Sequence, residues 1–494
     1  MKDMKMKKLI FALVVAATAF APIAKAQDLP ANFDQMVEAD MKKWHAPGLG
    51  LAVVKDGKTL FAKGYGIKSV KTGELVNADT LFQAGSTTKA FAATALAMLV
   101  DEGKVAWDDP VIKHIPELEI QDDYVRENLT IRDALSHRSG IKQMTNINMF
   151  IGKSLPKAWG MMADNGQQTS FRQKWDYNNT IFGLSGRVVE RVSGMSFHRF
   201  VEERILKPLG MNNTKMLDAE VEAAENRAEA HQYLKGETYE IPYPYIEYSD
   251  SAGMMNSTPS DMSKWLEFLL AKGQWNDQQL VSEKQLAETM KPVIFLPPES
   301  IYPAAASYDH NYYSYGMAWF AHDFKGHKVA MHTGSIAGMS AIIAIVPEKN
   351  IGMYAFINSD HIEYRHALMY TILGHLLGGD KTDWSEKLFP IFNPETPAEP
   401  RKPETYANLT LTDLLGTYTL AGSYDVEIEQ RGDQVWGKVG ENQIQLIKKE
   451  DGSILMYDKK LAHLPRESFM RVVQKNDGSI SDIVFGGLRY KKAN

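Results

Sequence analysis

Three short stretches of the chain carry residues that could work together on a bond. The first is Gly85-Ser86-Thr87-Thr88-Lys89, which runs into an Ala-, Leu- and Met-rich segment over residues 90–99 and then Gly103. That composition predicts a strong helix closed at the glycine. Ser86 then falls at the helix N-terminus, and Lys89 projects from the same face one turn on. A serine hydroxyl is a weak nucleophile until a base takes its proton, and the Lys89 amine could be that base. The helix N-terminus favours negative charge growing at the serine. The plainer reading, an N-cap serine followed by a solvated lysine, fits the same residues.

The second stretch, Trp175-Asp176-Tyr177-Asn178-Asn179, precedes an amphipathic helix expected over residues 180–192. The third, Met331-His332-Thr333-Gly334-Ser335, ends an expected strand. A tyrosine relays protons when a neighbouring cation lowers its pKa, and Lys89 is the cation at hand. Asn179 offers a donor and an acceptor to a substrate amide. A strand edge ending in Thr333-Gly334 lets an extended substrate approach and add as a further strand. Taken singly, Tyr177 reads as a core aromatic and His332 as a surface histidine at a turn.

The elements that must position these residues come in an unusual order. An opening helix over residues 33–44 leads to strands at 49–54 and 59–65 around the hairpin signal Asp56-Gly57. A helix-rich middle follows, and strands return at 328–332, 340–346 and 351–358 before a final helix near 365–377. Strands first and last, with helices between, predict an antiparallel sheet assembled from both ends of the domain with an all-helical region beside it. A doubly wound parallel sheet would alternate strand and helix throughout.

At 494 residues the chain is long enough for two or three domains. The composition breaks near residue 390, where Pro390, Pro394, Pro397, Pro400 and Pro403 suggest a stiff extended linker over 390–403. Beyond it, period-2 alternation at 425–429 and the turns Arg431-Gly432-Asp433, Glu450-Asp451-Gly452 and Asn476-Asp477-Gly478 predict a small antiparallel barrel or sandwich over 404–494. Such a module serves as a lid, a docking piece or the place where copies join into a homo-oligomer. Lys2, Lys5, Lys7 and Lys8, an apolar run over 9–23 and Ala24-Lys25-Ala26 have the form of a signal peptide cleaved after Ala26. The expectation is a periplasmic or secreted protein with no membrane anchor after cleavage. The catalytic domain then spans residues 27–389.

The chain has no cysteine, which excludes disulfides, thiolate zinc sites and cysteine nucleophiles. A formal charge of −6 leaves no basic surplus for a nucleic-acid partner. No metal site and no cofactor is expected.

In their order, the three stretches resemble the signature of the penicillin-recognising serine hydrolases: S-x-x-K, then Y-x-N, then K-T-G or H-T-G. The chain is most similar to the branch holding class C β-lactamases, DD-peptidases, D-aminopeptidases and esterases. Leu135-Ser136-His137-Arg138-Ser139-Gly140, Pro208-Leu209-Gly210-Met211 and residues 251–258 add to the likeness, and the tail resembles a lipocalin-like domain. The resemblance implies an α/β transpeptidase-like fold and an acyl-enzyme on Ser86, with Lys89 and Tyr177 sharing the base and proton-shuttle work. It implies that Asn179 holds the substrate amide and that the N–H groups of Ser86 and Ser335 form an oxyanion hole. His332, Thr333, Gly334 and Ser335 would line the substrate strand.

Histidine stands at 332 where the β-lactamases of this branch have lysine, which points to a peptidase or esterase acting on a small ester, amide or short peptide. A class C-like β-lactamase and a penicillin-binding sensor that never releases its acyl group are the alternatives. With a reference pKa near 6.5, His332 is expected to carry a charge that titrates between about pH 5.5 and 8 and holds a substrate carboxylate at the acid end.

Overall fold

The computed structural model describes residues 29–141, 169–244, 251–394, 402–420, 425–440, 442–459, 464, 467–485 and 488–493. Residues 1–26, expected to be a cleaved signal peptide, and residues 144–165 lie outside them.

The hairpin forms as the Asp56-Gly57 signal requires, both residues at positive φ (52° and 71°), joining β1 (Gly48–Lys55) to β2 (Lys58–Gly66). Six strands from the far end of the domain complete the sheet: β3 (Ile294–Phe295), β4 (Tyr313–Tyr315), β5 (Phe320–Phe324), β6 (His327–Ile336), β7 (Met339–Val346) and β8 (Ile351–Ile357). Their order is β2-β1-β8-β7-β6-β5-β4-β3, antiparallel throughout, with Leu49 of β1 opposite Ile357 of β8. The sheet is built from both ends of the domain as expected, with β3, β4 and β5 added at one edge beyond the strands the sequence indicated.

Every residue of β7 and β8 is buried, so these apolar strands are covered on both faces. Alternate side chains enter two cores. Ile342, Ala344, Met353 and Ala355 pack with α1 (Phe33–Lys43), and with α5 (Tyr364–Leu376) and α6 (Trp384–Phe392) beside it. Ala341, Ile343, Ile345, Tyr354 and Phe356 pack with α2 (Lys89–Asp101), α3 (Asn179–Ser193) and α4 (Pro259–Leu270). Helix α2 is buried on every side from Lys89 to Leu99, as its uniformly apolar composition demands. It is the central post of the helical region, and the candidate site stands at its N-terminal end.

Beyond α6 the chain closes an eight-stranded antiparallel barrel: β9 (Gly416–Thr419), β10 (Val426–Arg431), β11 (Gln434–Val439), β12 (Asn442–Lys448), β13 (Ile454–Tyr457), β14 (Phe469–Gln474), β15 (Ile480–Phe485) and β16 (Leu488–Lys492). β9 pairs with β16 to close the ring. Gly432, Gly452 and Gly478 turn three of its hairpins at positive φ. Eight strands leave an interior just wide enough to fill with side chains, and Val426, Ile428, Leu446, Met470, Ile483 and Tyr490 are among those that fill it. Leu464, from the connection between β13 and β14, is buried instead with the core around α2. The stretch expected to be an extended linker from Pro390 begins later, because α6 carries Pro390 inside its last turn and ends at Phe392. A proline so near a helix end removes one backbone bond and is tolerated there.

Candidate active site

Ser86 lies in a single 3-10 turn, Gly85–Thr88, that feeds directly into α2. The turn is tied down by its own threonines: Thr87 Oγ1 donates to Ala84 O and Thr88 Oγ1 to Gly85 O. Gly85 has φ 53°, and a Cβ there would come within 3.0 Å of the Ser335 backbone nitrogen. Gly334 is still more constrained, since a Cβ on it would stand 2.0 Å from Ala84 O and 3.3 Å from the Ser86 nitrogen. The two glycines therefore let β6 lie directly against the turn, bringing the N–H groups of Ser86 and Ser335 onto adjoining segments. β5 pairs with β6 only as far as Met331, opposite Phe320. From His332 onward the β5 side of β6 is bordered by this turn rather than by a strand.

Ser86 is the one residue of the run from Gly85 to Leu99 that is not fully buried. Its Oγ is 3.1 Å from Lys89 Nζ and accepts from the Tyr177 hydroxyl at 2.8 Å. Lys89 Nζ also lies 2.7 Å from both Asn179 Oδ1 and Ala252 O. Burial pushes the Lys89 amine well below its ordinary pKa. A neutral amine has two hydrogens and one lone pair. With both hydrogens on the Asn179 and Ala252 oxygens, the lone pair faces the Ser86 hydroxyl. The network is then internally consistent: Ser86 donates to Lys89 and accepts from Tyr177.

Tyr177 departs from the sequence expectation. Its phenol is pushed up, not down, and burial is the largest cause. Lys89 sits 4.9 Å from the ring centroid, but an amine kept neutral by burial gives little help to a phenolate. Tyr177 is thus a neutral proton donor at rest. Asn179 also takes a role beyond the one expected, since its Oδ1 is engaged by Lys89.

Asn178 caps α3, its Oδ1 accepting from Ile181 N, and thereby places Tyr177 and Asn179 on either side of the helix start. His137, itself at φ 57°, holds this segment from behind. Its carbonyl accepts from Asp176 N, its Nδ1 accepts from Asn178 N, and its ring lies 4.2 Å from that of Tyr177. Just upstream, the fully buried carboxylate of Asp133 binds both Arg138 and Arg172 and completes the capping box of Thr130. The stretch Leu135 to Gly140 carried a family likeness but no role in the sequence, and neither did Ala252, whose carbonyl orients Lys89.

His332 contradicts the expectation of a titrating charge. It is 1% exposed, Nδ1 faces Thr333 O at 2.6 Å, and Nε2 lies 2.9 Å from the Tyr315 hydroxyl. A nitrogen facing a carbonyl must carry the proton, so in the neutral ring Nε2 accepts from Tyr315. Burial, the largest cause, lowers its pKa to about 3. Thr333 is 5% exposed and shares a 2.7 Å bond with the Tyr302 hydroxyl. Gly334 and Ser335 lie against the turn that bears Ser86. Among the described residues, no group of three or more His, Asp or Glu could hold a metal ion.

Comparison with known proteins places this geometry. The Beta-lactamase family profile matches residues 33–376. "Unguisins hydrolase ungD'" of Aspergillus campestris is 28% identical over 364 residues, covering 69% of this chain and 64% of that protein. "Protein flp" of Staphylococcus aureus is 26% identical over 344 residues, covering 68% and 64%. The chain thus spans somewhat under two thirds of the length of these curated relatives. Among solved structures, the octameric penicillin-binding protein homologue from Pyrococcus abyssi aligns over 93% of this chain and 99% of its own, with TM-score 0.62 and 24% identity. SurE aligns over 93% and 98%, with TM-score 0.57 and 20% identity. Both likenesses extend past α6 and so take in the barrel as well as the sheet. With residues 33–376 matched, from the opening helix to α5, this chain belongs to the beta-lactamase family of the serine hydrolase superfamily.

Proposed function

We propose that this protein is an extracytoplasmic serine peptidase or esterase that works through an acyl-enzyme on Ser86. The observation that carries the reading is the Ser86 hydroxyl held between Lys89 Nζ at 3.1 Å and Tyr177 OH at 2.8 Å. Ser86 Oγ bonds to the substrate carbonyl carbon as its proton passes to Lys89. The carbonyl electron pair moves onto oxygen, between the N–H groups of Ser86 and Ser335. Collapse expels the leaving group, which takes the Tyr177 proton, and the Lys89 ammonium restores that proton to the phenolate. Water then repeats the sequence and releases the acyl group.

A neutral His332 supplies no partner for a substrate carboxylate, which favours uncharged esters and amides over anionic β-lactams. The names of the relatives guide the choice of probes: one is a hydrolase of unguisins, and SurE has been solved with D-Leu. Unguisins and D-leucine esters are the first substrates to try. The octameric homologue makes a homo-oligomer the assembly to look for. Cleavage after Ala26 would leave the protein periplasmic or secreted, and N-terminal sequencing of the mature protein tests that.

The functional test is labelling with a fluorophosphonate and with a fluorescent penicillin, followed by peptide mapping and by steady-state turnover of a chromogenic ester. Label on Ser86, lost in Ser86→Ala, together with continuous turnover supports the hydrolase. A stoichiometric burst that stops would instead identify a sensor, and label on another serine would overturn the assignment.

A further inference from the structure

Behind the strand that carries Ser335, on the side away from Ser86, lies a buried ion pair that the acylation chemistry above does not use. Arg365, in the first turn of α5, is 2% exposed. Its Nη1 donates to Gly334 O at 2.6 Å, to Ser335 Oγ at 2.8 Å and, more weakly, to Ala341 O of β7 at 3.4 Å. Its Nη2 donates to Glu363 Oε1 at 2.8 Å, with Nε at 3.4 Å from Oε2. Glu363 also pairs with His366 Nδ1 at 2.6 Å. Although burial opposes its ionisation, Arg365 and His366 hold the Glu363 carboxyl far below the ordinary range.

Gly334 O and Ser335 N belong to the same peptide group. A trans peptide is planar, and its C=O and N–H point in opposite directions. The described chain contains no cis peptide. Anchoring Gly334 O on Arg365 therefore sends the Ser335 N–H the other way, towards the turn that bears Ser86. The 3.0 Å approach of the ideal Gly85 Cβ position to Ser335 N shows where that nitrogen lies.

The guanidinium does a second thing. A cation on the carbonyl oxygen draws electron density along the conjugated O–C–N unit and makes its N–H a stronger donor. Arginine suits both tasks because one planar fork grips Glu363 with one arm and the peptide oxygen with the other. The hydroxyl of Ser335, drawn to the same guanidinium, fixes the residue on its far side. Tyr302, 4.9 Å from the His366 ring, completes the backing by binding Thr333. Three successive residues of β6 are thus held by hydrogen bonds from Tyr302 and Arg365.

We propose that Arg365, clamped by Glu363, is a positioning residue that aims and polarises the Ser335 N–H as an oxyanion donor. This rests on the acyl-enzyme reading of Ser86. The test uses the full-length protein, Arg365→Lys and Glu363→Gln, each checked by thermal unfolding. A matched pair of oxo and thiono esters reports on the oxyanion directly, because a hole built for oxygen discriminates against the larger, weakly accepting sulfur.

Arg365→Lys is expected to lower kcat for the oxo ester by about 10- to 100-fold, up to the loss of one oxyanion donor. KM should stay within about threefold, and the oxo-to-thiono rate ratio should collapse. Glu363→Gln keeps the cation but loosens the clamp, so a smaller change of the same kind is expected even if Arg365→Lys fails to fold. A general loosening of structure would slow both esters together. An unchanged oxo-to-thiono ratio in folded Glu363→Gln, or an effect confined to KM in either folded variant, would overturn the proposal. Wild-type protein that fails to acylate at Ser86 would instead bring down the hydrolase reading itself.

Discussion

Burial of His332 makes a quantitative prediction about acid stability. The ring is neutral in the fold with a pKa lowered to about 3, whereas in the unfolded chain it titrates near its reference value of about 6.5. The unfolded state therefore takes up a proton below about pH 6.5 that the folded state refuses. The stabilisation is fully present above that pH and is lost as pH falls towards 3. Linkage puts the loss from this one group at about 2 kcal/mol by pH 5 and on the order of 4 kcal/mol near pH 3. His322, also buried and lowered to about 4, behaves in the same direction and adds a comparable loss by pH 5.

The perturbation is His332→Gln, which keeps a polar group able to meet Thr333 O or the Tyr315 hydroxyl and cannot titrate. Urea unfolding of both proteins at pH 7.5, 6 and 5 gives stability at each pH. The wild type should lose about 2 kcal/mol more than the variant between pH 7.5 and 5. Parallel stability curves would refute the assignment of a buried neutral ring. The kinetic counterpart uses two esters differing only in a carboxylate. Their ratio of kcat/KM should stay constant from pH 5.5 to 8 in the wild type, because no charge at His332 appears in that range.

Four further outcomes follow from the site. Tyr177→Phe removes the proton donated to the leaving group and should lower kcat at least about 100-fold in ester turnover, with little change in melting temperature. The kcat/KM of the wild type should rise with pH and level off well below pH 10, because Lys89 acts as the neutral amine and burial lowers its pKa; Asn179→Ala removes an acceptor that favours the ammonium and should move this limb to lower pH. Gly334→Ala must push β6 away from the Ala84 carbonyl, so it should cost about 1–3 kcal/mol in urea unfolding and abolish most fluorophosphonate labelling. Cleavage ahead of residue 404 should release a barrel that keeps its own β-sheet circular dichroism, while the catalytic fragment loses the cover of Leu464 and melts at a lower temperature.

The sheet, the helix behind Ser86 and the barrel were legible because their signals are local. The Asp56-Gly57 turn, the apolar segment after Lys89 and the period-2 stretch at 425–429 each carry their meaning within a few residues. The pairing of Ser86 with Lys89 was legible for the same reason, since they stand three positions apart. What sequence could not show depends on partners brought in by the fold. His332 looks like a turn histidine until Tyr315, 17 residues earlier, closes over it. The pKa of Tyr177 follows from how much water its pocket excludes, which spacing does not encode. Asn179 is shared with Lys89 across 90 residues, and Arg365 reaches Gly334 across 31. Pro390 advertised a linker, yet a helix already under way absorbed it in its last turn.

The pairing of β1 with β8 has a consequence for how the protein is made. Leu49 and Ile357 face each other across roughly 300 residues of intervening chain. At synthesis rates of about 5–20 residues per second, β1 waits about 15–60 s before its central partner exists. Until then one edge of this strand, Gly-Leu-Gly-Leu-Ala-Val-Val-Lys, is satisfied by β2 alone and the other is open to any passing β-segment. Lys55, Lys58 and Lys63 flank or face it and act as gatekeepers through that interval. The nascent protein is therefore committed to late closure, its first strands the last to be covered. The sheet cannot close until the chain has passed residue 351, and its second face stays open until α5 and α6 follow.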